Sequence, residues 1–373
     1  MVLATIATQA SIVVLAPLIV AIGRDLDASL SAVGLSRSIM AAMAVVVSLS
    51  IGSLIDRIGV APLIRAGALL AVAGAGLSAL APSLAFFFAA QVVTGAGVGC
   101  LLSAGFAGVG AYFDEAHAAW AVGWVVGAQA IAWIVGNPVI GLLAEEGSWR
   151  LGYLVPASVA ALAFLAGLMA PRGRTAGDAR GGLGAVLSDR SARRWALAEL
   201  VAFSAWTAEI TYAGAFYIES YGLDVSEVGL LLAAGSIVFL VSSTNAARLS
   251  QRLPRRRLIV ITALAMGILL VPLLNLTPSV WFTLAVFCGM AFFASLRTTA
   301  ASTLGLDQLP GQPGAMMGAR TASAQLGYMI GAAAGGAVLV LADFGALGIV
   351  LFGGMALSAL LIARVSDPQP VPN

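Results

Sequence analysis

Long apolar runs separated by short polar breaks dominate this sequence of 373 residues. Most runs approach or exceed the roughly 20 residues that a helix needs to cross a lipid bilayer. With 60% hydrophobic and 10% charged residues, the composition lies far from the roughly 25% charged residues of a soluble globular domain. The runs leave almost no material for a soluble domain, so the pattern predicts an integral membrane protein.

Twelve such runs can be delimited, and all are predicted to be helices because lipid leaves the open edge of a strand unsatisfied. The first lacks a basic leading segment and a small-residue cleavage pattern, so we interpret it as a spanning helix and not as a cleaved signal. The predicted spans are 1–22, 33–55, 62–80, 84–111, 118–144, 149–170, 195–221, 228–247, 258–276, 279–304, 315–341 and 345–363.

The longest polar interruption, residues 171–194, contains six arginines and two aspartates and divides the runs six plus six. It predicts an N-terminal six-helix bundle over 1–170, a cytoplasmic linker over 171–194 and a C-terminal six-helix bundle over 195–373. With both termini in the cytoplasm, fourteen arginines fall on the cytoplasmic side, whereas the opposite side receives Arg24, Arg37 and Arg150. This bias follows the positive-inside rule and indicates a multi-pass protein of the cytoplasmic (inner) membrane.

An internal repeat supports the division into two halves. The fifth and the eleventh runs, six helices apart, share an aromatic residue followed by two glycines at the same spacing: Trp133, Gly136 and Gly141 in one, Tyr328, Gly331 and Gly336 in the other. Two parallel six-helix halves related about the membrane normal are typical of one large class of transporters.

A glycine and charge pattern between the second and third runs is formed by Gly52, Asp56, Arg57 and Gly59. It resembles the cytoplasmic signature of the major facilitator superfamily, and the likeness covers nearly the whole chain. The resemblance implies an all-α membrane protein of 12 transmembrane helices, in two six-helix bundles with pseudo-twofold symmetry. It also implies a secondary transporter that works by alternating access, with Asp56 holding the cytoplasmic side closed. The basic residues that normally follow Gly59 are absent here.

The fifth run resembles the Gly/Pro motif of the drug:proton antiporter branch, to which the chain is most similar. The motif is formed by Gly127, Gly136, Pro138 and Gly141. Small residues at this spacing let two helices approach closely, and the proline removes one backbone hydrogen bond. Tight packing alone explains the motif equally well and would serve an uptake carrier too.

Polar residues inside the apolar runs mark the predicted substrate cavity, because such residues are costly in lipid. In the resembled fold, helices one, four, seven and ten line the cavity, and the polar residues concentrate in those runs. The cavity candidates are Thr8, Gln9, Gln91, Thr94, Trp206, Glu209, Tyr212 and Arg297. Gln91 occupies a position at which relatives often carry an arginine, so a proton-coupling role of that arginine does not transfer to this chain.

Glu209 is the candidate for proton coupling because it lies deep in the seventh run. Apolar surroundings favour the neutral form of a carboxyl group, which suits it to bind and release a proton. A fixed ion pair with Arg297 and direct binding of a cationic substrate are the alternatives. Arg297 and Glu199 lie at similar predicted depths and form a candidate gate pair. The alternatives for Arg297 are an anchor for a substrate anion and a snorkelling side chain. Arg320 is given no transport role.

These residues predict proton-coupled efflux of a hydrophobic or amphiphilic compound. The alternative within the class is a proton symporter or uniporter that takes up a metabolite such as an organic anion. We expect no enzyme, since an intramembrane hydrolase needs paired acids, a Ser/His arrangement or metal ligands, and the only histidine, His117, lies in a predicted loop. A non-transporting sensor is a further alternative. The expected partners are a small-molecule substrate, protons and membrane lipid, without metal, cofactor or nucleic acid, and the resemblance implies a monomer.

Overall fold

The computed structural model describes residues 1–112, 115–170, 183–250 and 253–367. The elements in these ranges are all α-helices, which confirms the predicted all-α fold. They are α1 (Val2–Val13), α2 (Leu15–Asp25), α3 (Leu30–Ile58), α4 (Val60–Ala79), α5 (Leu84–Tyr112), α6 (Glu115–Glu145), α7 (Trp149–Gly152), α8 (Leu154–Met169), α9 (Leu183–Ser188), α10 (Arg190–Tyr221), α11 (Val225–Ser250), α12 (Arg255–Asn275), α13 (Val280–Gln308), α14 (Pro313–Leu341) and α15 (Phe344–Ile362).

In the described ranges, ten helical segments are long and apolar enough to cross a membrane, or eleven if α1 and α2 form one bent span. The remaining long helix, α10, has 32 residues and exceeds the length that a bilayer requires. Its charged residues make it less hydrophobic than the others; they are Arg190, Arg193, Arg194, Glu199, Glu209 and Glu219. The eleven spans and α10 correspond to the twelve predicted runs of the sequence.

Large apolar side chains cover much of the outer surface of these helices. Leu168 in α8, Ile268 in α12 and Val340 in α14 are all exposed. Exposed leucine, isoleucine and valine on many long helices provide the surface that lipid tails solvate, because association with the bilayer removes this area from water. The structure therefore supports an integral, multi-pass membrane protein.

The first predicted span is wrong in one respect, because it is two helices with a bend of 43° between α1 and α2. Pro17 lies in the first turn of α2. A proline ring collides with the carbonyl group four residues earlier, which here belongs to Val13, the last residue of α1. The break therefore falls where the proline forces it.

The seventh span begins earlier than the sequence suggested. Asp189 caps α10, since its Oδ1 accepts hydrogen bonds from the backbone N–H groups of Ser191 (2.9 Å) and Ala192 (2.7 Å). Such capping satisfies donors that the first helical turn leaves without partners. Arg190, predicted to lie in the linker, is consequently the first residue of α10, and the short α9 precedes it.

The chain forms two compact units. Unit 1 comprises Met1–Gly177 and Thr211–Ala233, and unit 2 comprises Asp178–Ile210 and Ala234–Asn373. In unit 1 an apolar core is formed by α1, α4, α5 and α8; in unit 2 a second core is formed by α9, α10 and α12 to α15. The predicted bundles over 1–170 and 195–373, with their linker over 171–194, stay a prediction.

Candidate functional site

Glu209 is buried in α10, with only 2% of its surface exposed. Its Oε2 atom has no hydrogen-bond partner within the described part of the chain. Trp206, three residues earlier and therefore on a neighbouring part of the helix surface, is half-buried and packs its ring 6.1 Å from that of Phe239. The predicted proton-coupling residue is thus an acid in an enclosed position, and one member of an aromatic pair, Trp206, lies close to it in sequence.

Arg297 in α13 forms a buried ion pair with Glu199 in α10. The distance from Arg297 Nη2 to Glu199 Oε1 is 2.6 Å, and the side chains are 4% and 0% exposed. Arg297 Nη2 also donates a hydrogen bond to Ser358 Oγ (3.3 Å), and this hydroxyl donates to the carbonyl of Ala198 (2.9 Å). Three helices of unit 2, α10, α13 and α15, therefore meet at one arginine.

This pairing settles two of the sequence hypotheses. The alternative of a fixed ion pair between Glu209 and Arg297 is wrong, because Arg297 is bound by a different carboxylate, that of Glu199. The predicted pairing of Arg297 with Glu199 is confirmed. Whether the pair acts as a gate stays a prediction, and its burial is incompatible with a snorkelling arginine.

Two of the cavity candidates in unit 1 donate their hydroxyl hydrogen bonds to backbone carbonyls of their own helices. Thr8 Oγ1 donates to the carbonyl of Ala4 (2.9 Å), and Thr94 Oγ1 donates to the carbonyl of Ala90 (3.0 Å). Hydrogen bonds of this kind satisfy a hydroxyl in lipid without a partner from another helix. Both side chains are buried, and their place in a substrate cavity stays a prediction.

The two glutamine candidates join helices. Gln9 Oε1 in α1 accepts a hydrogen bond from Trp133 Nε1 in α6 (3.0 Å). Gln91 Nε2 in α5 donates to Ser78 Oγ in α4 (2.9 Å). Hydrogen bonds between buried polar side chains hold neighbouring membrane helices together, and both glutamines contribute in this way within unit 1.

Arg37 is a buried charge in the second predicted run, on the side opposite to the cytoplasm in the sequence prediction. It lies seven residues after the start of α3 and is only 3% exposed. Its Nη2 donates to the carbonyl of Ile12, at the break between α1 and α2. Seven residues correspond to about 10 Å of helix, so Arg37 lies about two turns into α3 and joins it to α1.

Tyr212, another cavity candidate, lies close to Arg37 in unit 1. It is buried, and its hydroxyl packs so closely on Gly34 in α3 that a β-carbon there would be 2.0 Å from the Tyr212 oxygen. Gly34 lies three residues before Arg37 on α3, so the Tyr212 hydroxyl packs on the same region of the helix surface as Arg37. The structure therefore brings Tyr212 together with a charge that the cavity prediction did not include.

The Gly/Pro motif of α6 divides into packed and open positions. A β-carbon at Gly141 would be 2.7 Å from the carbonyl oxygen of Val225 in α11, and one at Gly229 would be 3.2 Å from Cα of Pro138. By contrast, a β-carbon at Gly136 would make only ordinary contact, and one at Gly127 would meet nothing within 4 Å. The close packing of α6 on the start of α11 thus depends on the second half of the motif.

Most of the cytoplasmic signature falls on residues whose side chains the structure does not describe. These residues are Gly52, Asp56 and Arg57. Gly59 is described, and with φ at 80° it adopts a conformation that favours glycine and ends α3 before α4 begins. The role of Asp56 stays a prediction.

The described residues include no group of three or more His, Cys, Asp or Glu side chains that could hold a metal ion. Both cysteines, Cys100 and Cys288, are free thiols.

The sequence model of the Major Facilitator Superfamily matches residues 1–222 and 195–373. The chain belongs to this superfamily. Membership makes the protein a secondary transporter in general terms, of a family whose members are generally not enzymes. No protein of curated description matches the sequence, so the substrate, the direction of transport and the coupling ion have to be argued from the site.

Proposed function

We propose that this superfamily member exports a hydrophobic or amphiphilic compound in exchange for protons, and that Glu209 carries the proton. The observation that supports this proposal is the buried Glu209 carboxyl group, with one oxygen that lacks a hydrogen-bond partner in the described residues. An ionised carboxylate in such a position is costly, and a proton is the simplest partner that neutralises it. When alternating access opens the site to water, the same group can release its proton.

The pairing of Arg297 strengthens the case for Glu209. Since Arg297 is bound by Glu199, it is not the counter-ion of Glu209. The remaining partners for Glu209 are a proton and a cationic substrate. If both compete for one carboxylate, the binding of one weakens the binding of the other, and this reciprocal coupling is what antiport requires.

The residues near Glu209 suit an amphiphilic substrate. Trp206 lies one helical turn before the glutamate and is only half-buried, and its ring packs on Phe239. An aromatic surface beside an acid can bind the apolar part and the positive charge of one molecule, because aromatic faces attract cations. Trp206 and Glu209 are therefore proposed as the first substrate contacts.

The proposed orientation follows the arginine distribution. We propose that the protein lies in the inner membrane. Both termini and the linker over 171–194 would then lie on its cytoplasmic side, in accordance with the positive-inside rule. Asp56 is proposed to hold the cytoplasmic side closed, and the functional form is proposed to be the monomer.

Transport by reconstituted protein tests the proposal. Proteoliposomes with an imposed pH gradient are given a panel of fluorescent amphiphilic cations, neutral amphiphiles and small organic anions. We expect cation flux opposite to the proton flux, which a protonophore abolishes. Glu209→Gln should reduce gradient-driven flux to the level of empty liposomes, because the amide cannot change its protonation state.

Glu219→Gln is the matched control, since Glu219 lies on the same helix but is exposed. This variant should transport like the wild type. Wild-type flux in Glu209→Gln would overturn the role of Glu209. Accumulation of an organic anion together with protons would overturn export and favour the uptake alternative.

A further inference from the structure

A cluster of three charged side chains in unit 2 is not used by the proposed proton exchange. Glu199 in α10 accepts a hydrogen bond from Arg297 at its Oε1 atom, and the Nε atom of Arg320 in α14 lies 4.0 Å from its Oε2 atom. The Arg320 guanidinium carbon lies 5.6 Å from the ring centroid of Phe203. Two arginines therefore share one carboxylate in this cluster.

The cluster leaves polar atoms without partners. Within the described residues, no hydrogen bond reaches Oε2 of Glu199, Nε of Arg297 or Nε of Arg320. The 4.0 Å separation between Arg320 and Glu199 is too long for a hydrogen bond between them. Two donors and one acceptor are thus buried without a hydrogen-bond partner from the described residues.

The charges of the cluster do not balance. Two guanidinium groups face one carboxylate, which leaves one positive charge in excess. Arg297 and Glu199 are 4% and 0% exposed, whereas the side chain of Arg320 is 25% exposed. An uncompensated charge beside buried groups is costly, and Arg320, the most exposed of the three, is the member that a ligand can reach.

We infer that Arg320 and Arg297 form a binding site for a small, singly charged anionic group, such as a carboxylate or the phosphate of a lipid. The planar guanidinium of Arg320 offers paired donors to such a group, and Nε of Arg297 adds a further donor. Glu199 holds both arginines in place and limits the excess charge to one. The site should therefore bind monoanions in preference to dianions.

A water molecule between Arg320 and Glu199 would also fit a polar separation beyond 3.5 Å. Water would satisfy the free donors and the acceptor, but it would leave the excess positive charge. An anion removes that charge as well. Binding measured as a function of anion concentration separates the two occupants.

The experiment uses the complete protein in nanodiscs. In neutral phosphatidylcholine, formate replaces a bulky organic sulfonate at constant ionic strength, and thermal unfolding is followed by intrinsic fluorescence. A ligand that binds only the folded protein raises the unfolding temperature as its concentration rises. In a second series without formate, phosphatidylglycerol replaces part of the phosphatidylcholine. Stabilisation by formate indicates a soluble carboxylate, and stabilisation by phosphatidylglycerol indicates a lipid phosphate.

The decisive variant is Arg320→Gln, for which we expect the apparent Kd of the stabilising anion to rise about tenfold or more, as the loss of charge-assisted hydrogen bonds implies. Arg320→Lys keeps the charge but loses the planar fork, so it should retain a weaker response. Arg193→Gln is the matched control, because it removes one positive charge at an exposed position of the same unit and should respond like the wild type.

Three outcomes would overturn the inference. The first is a wild type that responds to neither formate nor phosphatidylglycerol, which would leave water as the occupant. The second is an Arg320→Gln variant whose response equals that of the wild type. The third is an equal loss of response in Arg193→Gln, which would indicate a general surface effect. If Arg320→Gln does not fold, the weaker response of Arg320→Lys decides, and an unchanged response there counts against the inference.

Discussion

The segments of α10 around Glu199 and around Glu209 offer the same side chain in two different settings. Both glutamates are buried, at 0% and 2% exposure, and they are ten residues apart on one helix. Glu199 is bound by Arg297 at 2.6 Å, whereas Oε2 of Glu209 has no hydrogen-bond partner within the described residues. Burial alone therefore does not distinguish an acid that holds helices together from one that is suited to bind a proton.

The largest effect should come from breaking the pair of Glu199 and Arg297. Arg297→Ala leaves the buried Glu199 carboxylate with Arg320 alone, whose Nε atom lies 4.0 Å away, and removing one partner of a buried ion pair costs about 3–5 kcal/mol. We expect a large loss of thermal stability and of monodisperse protein in detergent, measured by unfolding followed by fluorescence and by size-exclusion chromatography.

The double variant Glu199→Ala, Arg297→Ala controls for the volume that is lost, because it removes both charges together. It should be more stable than Arg297→Ala, since buried pairs are often replaced by apolar residues at little cost. Equal instability of the single and the double variant would show that the lost packing, and not the unpaired charge, causes the loss of stability.

Glycines that pack on each half of α10 test whether the two segments also differ in rigidity. A β-carbon at Gly331 in α14 would lie 2.1 Å from the carbonyl oxygen of Ser204, and one at Gly214 in α10 would lie 2.0 Å from that of Ala16. Backbone atoms cannot move aside easily, so Gly331→Ala and Gly214→Ala should each cost about 1–3 kcal/mol.

Gly127→Ala is the control for helix propensity, because a β-carbon there meets nothing within 4 Å. It should raise stability by about 0.5–1 kcal/mol, as expected for alanine in a helix interior. Similar losses for Gly331→Ala and Gly214→Ala would mean that the two halves of α10 are packed alike and that the glutamates differ only electrostatically. A loss at Gly331 alone would add a difference in packing.

The smallest effect on stability is expected for Glu209→Gln. The amide has nearly the same shape, and the change breaks no ion pair of the described residues, so the unfolding temperature at neutral pH should stay close to that of the wild type. Glu199→Gln, measured beside it, should lose the charge-assisted bond to Arg297, worth about 1.5–3 kcal/mol. A Glu209→Gln protein as unstable as Glu199→Gln would reveal a charged partner of Glu209.

Hydropathy alone predicted most of the helical architecture. Long apolar runs must be helical in lipid, so spans such as α12 and α15 begin and end within a few residues of their predicted bounds. The bend between α1 and α2 was missed although Pro17 is visible in the sequence, because prolines are common in membrane helices and do not always break them. Pro138 illustrates this, since α6 continues through it.

The candidate site was less predictable than the fold. The sequence identified Glu199, Glu209 and Arg297 as charges in apolar runs, but three charges allow several pairings, and choosing among them requires distances between helices. Arg320 received no role because it lies near a helix end, yet packing brings it to Glu199. Thr8 and Thr94 looked like cavity residues, although their hydroxyl bonds stay within their own helices.

The contact between Arg37 and the bend of α1 and α2 also bears on how the protein enters the membrane. An arginine at the centre of a membrane helix raises the cost of inserting that helix by about 2.5–3.5 kcal/mol, and Arg37, buried about two turns into α3, adds part of that cost. The carbonyl of Ile12 accepts the hydrogen bond from the Arg37 guanidinium. It belongs to a segment that the ribosome synthesises before α3. The bent first segment can therefore act as a docking partner for α3 during biogenesis, and the order of synthesis matches the order in which the charge needs its acceptor.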